Sequence, residues 1–509
     1  MTKKPLPRGL VRRPSRHLTW LASLSHAAGE VGPQLRDSAG IAPDFLAHSV
    51  DAAIIWRVGS GLLVAGATSD AGKSLVVAGL CRLLARRGVS VAPFKAQNMS
   101  LNSAVTADGA EIGRAQAFQA LCAGVEPTAE MNPILLKPTG PRRSQVVVLG
   151  RAVRDVDAGE YGSVAPTLWP VVLDSLSSLR SSFDVVVCEG AGGAAEVNLL
   201  ERDVVNLPLA ARAGMPAIVV GDIERGGVFA SLYGTWALVP PALQATIRGF
   251  VINRLRGDPA LLGDGCATLT ARTGGVPVLG VLPHVDGLQV DDEDSLALHA
   301  GWATSGDRYD VAVVRFPHVS NVTDLDPLRA EPGVSVRLVT SPADLASPDL
   351  VVLPGTKATV ADLAWLRSSG LVEAIAASRA RVLGICGGYQ MMGRWIDDPV
   401  ESGAGRVDGL GWLDVTTTFE PEKVLRRRAW GYEIHHGRVA DDSASFVRDE
   451  GRCLGTTVHG LFDDDAFRHS FLGWASGVVY ADVRAAQADA LADLLEQHLD
   501  VDATLSLLS

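Results

Sequence analysis

Residues 381–393, RVLGICGGYQMMG, place a thiol where chemistry is possible. An apolar run (Val382, Leu383, Ile385) ends in Cys386, two glycines follow, and a helix-compatible segment comes next. The order predicts strand, sharp turn and helix, with sulfur at the apex. Gly387 carries no Cβ, so the backbone can turn tightly behind the cysteine. A helix N-terminus there favours thiolate over thiol. This is the nucleophile-elbow pattern of hydrolases, built with Cys in place of Ser.

A cysteine nucleophile needs a proton carrier and donors for the oxyanion it creates. Of eleven histidines, His459 ends the short strand LGTTVHG, while His435 and His436 lie in GYEIHHG, which the sequence predicts as a turn. Residue type and spacing leave all three open. The expected oxyanion donors are the N–H of Gly387 and the N–H of Gly355, which closes the preceding strand.

A second chemistry starts near position 61. The apolar run GLLVAGA leads into TSDAGKS and then the helical LVVAGLCRLLARRG. Strand, glycine-containing loop, GKS and helix form a phosphate cradle. Asp70 and Gly72 shape the loop, Lys73 supplies a point charge, and the Ser74 hydroxyl can coordinate Mg²⁺. The spacing is unusual: Gly66 lies one residue too far from Gly72 for the common loop, and Ala67 occupies the usual glycine position. Further strands end in polar residues. VSVAPFKAQNMS offers Lys95, Gln97 and Asn98 for nucleotide or substrate contact. FDVVVCEGAGG ends in Glu189, expected to face Ser74 as a metal-binding carboxylate. PAIVVGDIERGGVF projects Asp222 and Arg225 from another strand end, where the glycines at 226–227 make room. Open α/β sheets bind ligands at this carboxyl edge.

These residues need two scaffolds. Repeated strand–helix units over 60–285 predict a doubly wound parallel sheet of the P-loop type. A connector follows at 286–308, and its acidic run DDED (291–294) is expected as solvated surface. Residues 309–509 predict a second α/β domain that becomes β-rich after the elbow. Residues 131–140 are expected as an extended turn. The first 59 residues differ from the rest: six Lys or Arg and no acid within positions 1–20. They lack the amphipathic Arg/Ser helix of a transit peptide and are expected as a poorly ordered extension.

Composition bounds the function. A chain of 509 residues with 47% hydrophobic content is globular and multidomain. A net charge of −11 argues against nucleic acid as partner. No apolar run reaches the roughly 18 residues that cross a bilayer. Six scattered cysteines without a CxxC pair suit a reducing, cytoplasmic setting.

The C-terminal half resembles class I glutamine amidotransferases, through LPGTKAT (353–359), GICGGYQMMG (384–393) and VHGLFD (458–463). The lengthened loop GxxxDxGKS (66–74) resembles dethiobiotin synthetase and related ATP-dependent carboxylate-activating enzymes. That pairing is similar to the cobyric acid and cobyrinic acid a,c-diamide synthases. FKAQNMSLNS, MNPILLKP, EGAGGAAEVNL, VVGDIERGGVFAS and PHVSNVTDLDPL resemble the cobyric acid synthase family in particular, in order, across about 61–475. The resemblance implies His459 as the catalytic histidine, ATP and Mg²⁺ as cofactors, and glutamine and a corrinoid as substrates. It implies amidation of the b, d, e and g carboxylates of adenosylcobyrinic acid a,c-diamide. One departure stands out: the usual triad has glutamate two residues after the histidine, and here that residue is Leu461, which gives a Cys–His dyad with no third member named. The rival readings are the a,c-diamide synthase and a P-loop regulatory ATPase with a non-catalytic amidotransferase domain.

Overall fold

The computed structural model describes residues 59–140, 142–288, 290–291, 303–428, 431–440 and 448–509. The expected N-terminal extension and most of the acidic connector lie outside them.

Five sheets carry the described chain: two of six strands, one of five, one of four and a two-stranded hairpin. The first sheet is parallel, in the order Val278–Pro283, Ile247–Leu255, Ala217–Asp222, Ser60–Gly66, Val185–Glu189, Val91–Phe94. Its central strands are apolar on both faces, as a sheet covered by helices requires. Register sets Val64 beside Glu189 and Asp222 beside Asn253. The phosphate loop leaves the central strand at Gly66, between Glu189 and Asp222.

The second sheet runs Val334–Val339, Tyr309–Val314, Leu350–Leu353, Arg381–Ile385, Cys453–Thr456, Arg448–Glu450, with only the last strand antiparallel. A third, mixed sheet orders Gly405–Asp408, Trp395–Asp398, Thr416–Arg427, Tyr432–Val439, Val458–His459.

Several local expectations change. VSVAPFKAQNMS is two strands, not one. Val91–Phe94 stays in the first sheet, and Gln97–Met99 joins a separate four-stranded sheet beside Ile134–Gly140. The segment expected as an extended turn at 131–140 is therefore largely a strand, because its apolar Ile134, Leu135 and Leu136 are buried. GYEIHHG is likewise a strand rather than a turn: Tyr432 pairs with His459 across the third sheet.

The chain after Tyr480 leaves the second domain. Helix Tyr480–His498 packs Ala488, Leu491 and Leu495 into one core with Val76, Val77 and Leu80 of the phosphate-loop helix Lys73–Arg86. A Cβ on Gly79 would stand 2.7 Å from Leu495 Cδ1, so glycine permits this approach. Ion pairs Arg82–Asp489 (2.7 Å) and Arg86–Asp493 (2.5 Å) flank the seam. The Ser60 hydroxyl donates to Leu508 O at 2.5 Å, so the chain closes on its first described strand. The last helices, expected within the second domain, thus share a core with the first.

The acidic run is not all solvated surface. Asp291 is 5% exposed and accepts from Arg114 Nε (3.1 Å) and Arg484 Nη2 (2.9 Å). Burial opposes its ionisation, but the two guanidinium groups hold its carboxyl below the usual range. Asp291 therefore ties the helix Arg114–Ala123 to the C-terminal helix. Removing one partner from a buried ion cluster leaves charge uncompensated, at about 3–5 kcal/mol. Asp291→Ala should lower the thermal midpoint by that order in a melting experiment, and an unchanged midpoint would show the cluster carries no net stability.

Candidate active site

The phosphate loop is held open by glycine and by neighbours. A Cβ on Gly66 would lie 2.7 Å from Thr68 O and 2.9 Å from Lys73 Nζ. Gly72 adopts φ 99° and would drive a Cβ to 2.0 Å from the Asn253 amide, which itself donates to Ala71 O at 3.0 Å. Asp70 sits in the left-handed region at φ 56°, exposed at the loop tip. Lys73 Nζ donates to Thr68 O (3.2 Å) and Gly192 O (3.0 Å), which fixes it over the loop.

Ser74 and Glu189 meet as the sequence predicts. The Ser74 hydroxyl donates to Glu189 Oε1 at 2.9 Å. Glu189 also accepts from Lys95 Nζ at 2.9 Å and from the Gln119 amide. Burial alone would raise this carboxyl, but the Lys95 ammonium, the bonds from Lys95 and Gln119 and the charge of Lys73 hold it below the ordinary range. A serine oxygen and an anionic carboxylate are hard donors that fit Mg²⁺, which keeps much of its water shell and needs no protein cage. No group of three His, Cys, Asp or Glu able to hold a metal occurs among the described residues.

The other strand-end residues divide. Lys95 is 1% exposed, so it acts on the site through Glu189 rather than from an open face. Asn98 is equally buried and donates to Gln116 Oε1 at 2.9 Å. Gln97 accepts from the Tyr161 hydroxyl. Asp222 accepts from Arg254 at 2.8 Å and from the Glu224 N–H at 2.7 Å, while Arg225 is exposed.

The elbow forms as expected. Cys386 takes φ 51°, ψ −109° between strand Arg381–Ile385 and helix Gly387–Met392. Such a backbone is strained for a residue with a Cβ and persists only when its surroundings dictate it. Neighbours do so: a Cβ on Gly388 would fall 1.9 Å from Leu353 O, and one on Gly387 2.7 Å from Thr356 Cγ2. Gly355 stands on the other side, its built Cβ 3.1 Å from His459 Cε1. The two expected oxyanion glycines thus flank the thiol and the imidazole.

Cys386 is 7% exposed and lines a cleft with His459. Leu101 and Lys137 from the first half line the same cleft, so both halves wall it. His435 and His436 line it too, but their Nδ1 atoms bond the carbonyls of Gly437 (2.7 Å) and Glu420 (3.0 Å). His459 is different. Its Nδ1 bonds Asp324 Oδ2 at 2.7 Å, and the next N–H, Gly460, donates to Asp324 Oδ1 at 2.9 Å. Tyr432 stacks on the ring at 5.4 Å between centroids. Burial alone would lower the imidazole, but the Asp324 carboxylate and the neighbouring Cys386 raise it to about 10. The arrangement is therefore more than a Cys–His pair: Asp324 is an orienting carboxylate that the histidine motif did not reveal. It sits in PHVSNVTDLDPL, 135 residues from its partner, and the signal for it was the acid in that stretch rather than any spacing. Asn253 and Gln119 were missed for the same reason.

These two halves define a class. A model of the CobB/CobQ-like glutamine amidotransferase domain matches residues 310–467, and one of the CobQ/CobB/MinD/ParA nucleotide binding domain matches 62–296. The chain is a nucleotide-binding domain joined to a glutamine amidotransferase domain. Proteins called cobyric acid synthase are 55% identical in Mycobacterium sp. (strain KMS), over 88% of this chain and 96% of the relative. They are 53% identical in Frankia casuarinae and 51% in Streptomyces coelicolor, over 88% and 87% of this chain and 96% and 95% of those relatives. The chain belongs to the cobyric acid synthase family. No helix among the described residues is long and apolar enough to cross a membrane.

The raised imidazole carries a signed pH dependence. The stabilisation from the His459–Asp324 pair is present in full below the unfolded value of about 6.5. It is lost as pH rises through about 10. The melting-temperature gap between the wild type and Asp324→Asn should therefore be wide near pH 6.5 and shrink above pH 10. A gap that widens with pH would contradict the assignment.

Proposed function

We propose that the protein hydrolyses glutamine at Cys386 and uses the ammonia to amidate ATP-activated carboxylates of a corrinoid. The observation that carries this reading is the Cys386–His459–Asp324 alignment in a cleft walled by both halves. The Cys386 thiolate attacks the carboxamide carbon of glutamine. His459, as imidazolium, gives its proton to the leaving nitrogen, so ammonia departs and a thioester remains. Water, deprotonated by the imidazole, then attacks the thioester carbon and releases glutamate and thiol. The N–H groups of Gly355 and Gly387 stabilise the oxyanion in both steps; one such donor typically contributes about 2.7–4 kcal/mol. Asp324 orients the ring and offsets its positive charge.

In the other half, ATP is a co-substrate whose phosphates lie on the 66–74 loop. Loop N–H groups, Lys73 and the helix N-terminus favour phosphate there. Ser74 and Glu189 would hold Mg²⁺, which supplies charge neutralisation on the phosphates. A corrinoid carboxylate oxygen bonds the terminal phosphorus and ADP leaves. Ammonia then attacks the acyl carbon and phosphate leaves, forming the amide. Asp222 and Arg225, at the same sheet edge, are assigned to ordering the activated carboxylate. The substrate we assign is adenosylcobyrinic acid a,c-diamide, amidated at b, d, e and g to adenosylcobyric acid. The cytoplasm is the assigned location, on six scattered cysteines without a CxxC pair.

Mass spectrometry after incubation with ATP, Mg²⁺, glutamine and the a,c-diamide tests the reading: four added nitrogens are expected, and none would overturn it. Cys386→Ser should abolish glutamine-dependent amidation while ammonium salts still support it. Retained use of glutamine would refute the nucleophile. Lys73→Ala should abolish amidation from either nitrogen source, and retained activity would refute the phosphate loop. Asp324→Asn should lower glutaminase kcat on the order of 10²–10⁴-fold, as loss of an orienting triad carboxylate does.

A further inference from the structure

The cleft that holds Cys386 also holds an ion pair that no step above uses. Lys357 and Glu401 are bonded to each other with side chains 9% and 18% exposed, and both line the cleft. The other two lysines of the cleft, Lys137 and Lys423, are committed to opposite oxygens of the buried Glu111, at 2.5 and 2.7 Å.

The cleft is unfinished as a protein interior. Gln390 Nε2 and His436 Nε2 are buried without a hydrogen-bond partner, and both residues line it. Buried polar groups are ordinarily satisfied, so a polar ligand is the expected partner. Glutamine, with its carboxamide at the thiol, would leave an α-carboxylate and an α-ammonium to be recognised. One cation and one anion side by side complement that zwitterion.

Resting on the glutaminase reading, we propose that Lys357 and Glu401 select the α-amino-acid end of glutamine, Lys357 taking the α-carboxylate and Glu401 the α-ammonium. Both are pre-positioned. Lys357 lies two residues beyond the oxyanion glycine Gly355, and its N–H donates to His318 O at 3.1 Å. Glu401 sits on a loop pinned by Asp398, whose carboxylate accepts from the N–H groups of Val400 (3.1 Å), Glu401 (2.8 Å) and Ser402 (2.9 Å). Burial opposes charge on Lys357, but Glu401 outweighs it and keeps the ammonium protonated. A bound glutamine would exchange the Lys357–Glu401 contact for two intermolecular pairs, with no net charge entering the cleft.

Glutaminase assays with three amides test this: glutamine, glutaramate without the α-amine, and 4-aminobutanamide without the α-carboxylate. In the wild type both analogues should lose at least tenfold in kcat/KM. Glu401→Gln should raise KM tenfold or more for glutamine and 4-aminobutanamide while leaving glutaramate unchanged. Lys357→Met should do so for glutamine and glutaramate while leaving 4-aminobutanamide unchanged. A merely structural pair would move all three substrates together, and that outcome, or equal use of all three by the wild type, overturns the proposal. The wild-type comparison decides even if a variant fails to fold. If Cys386→Ser leaves glutamine turnover intact, the glutaminase reading itself falls. If Cys386→Ser abolishes it and the analogue pattern is absent, only the clamp falls.

Discussion

The arrangement turns on one buried carboxylate. Asp324 is 4% exposed and uses both oxygens at once, one on the His459 imidazole and one on the Gly460 backbone. The ring and the backbone behind it are therefore set by the same group. Asp324 also follows Asn321, whose N–H donates to Asn102 Oδ1 at 2.7 Å and whose Oδ1 accepts from the Ser103 N–H at 2.8 Å. Asn102 and Ser103 belong to the nucleotide-binding half. The His459 ring of one half is thus referenced to residues of the other.

A second thread runs through one short helix. Arg114–Ala123 starts at the seam, where the Arg114 guanidinium lies 6.0 Å from the Tyr432 ring that stacks on His459. Its middle carries Gln116, bonded to Asn98, and Gln119, bonded to Glu189. Glu189 in turn receives Ser74 at the phosphate loop. Side chains of one rigid element therefore touch the surroundings of both candidate reaction centres. The network is only partly satisfied, because Gln116 Nε2 and Gln119 Oε1 are buried without a hydrogen-bond partner.

What could be read from the sequence was what local chemistry encodes. Cys386 with two glycines, and Lys73 with Ser74 after a strand, declare themselves because the turn and the helix are adjacent in the chain. Glu189 was legible because a sheet edge gathers strand ends. The rest depended on distant pairing. Asp324 and His459 are 135 residues apart, and Asn253 reaches Ala71 across 182. No local period marks such partners. Asp291 looked like solvated surface because an acidic run has that composition, and only the approach of Arg114 and Arg484 makes it a buried anchor. GYEIHHG carries glycines at both ends, which suggested a turn, yet pairing with Thr416–Arg427 and His459 extends it into a strand.

The helix Tyr480–His498 has a consequence for how the molecule comes into being. It completes the core beneath the phosphate-loop helix, and Ser60 bonds Leu508 at a sequence separation of 448. During synthesis the nucleotide half is begun first and sealed last, after the whole amidotransferase half has left the ribosome. The core beneath the phosphate-loop helix is therefore completed by the last segment made, which couples the folding of the first half to the presence of the second.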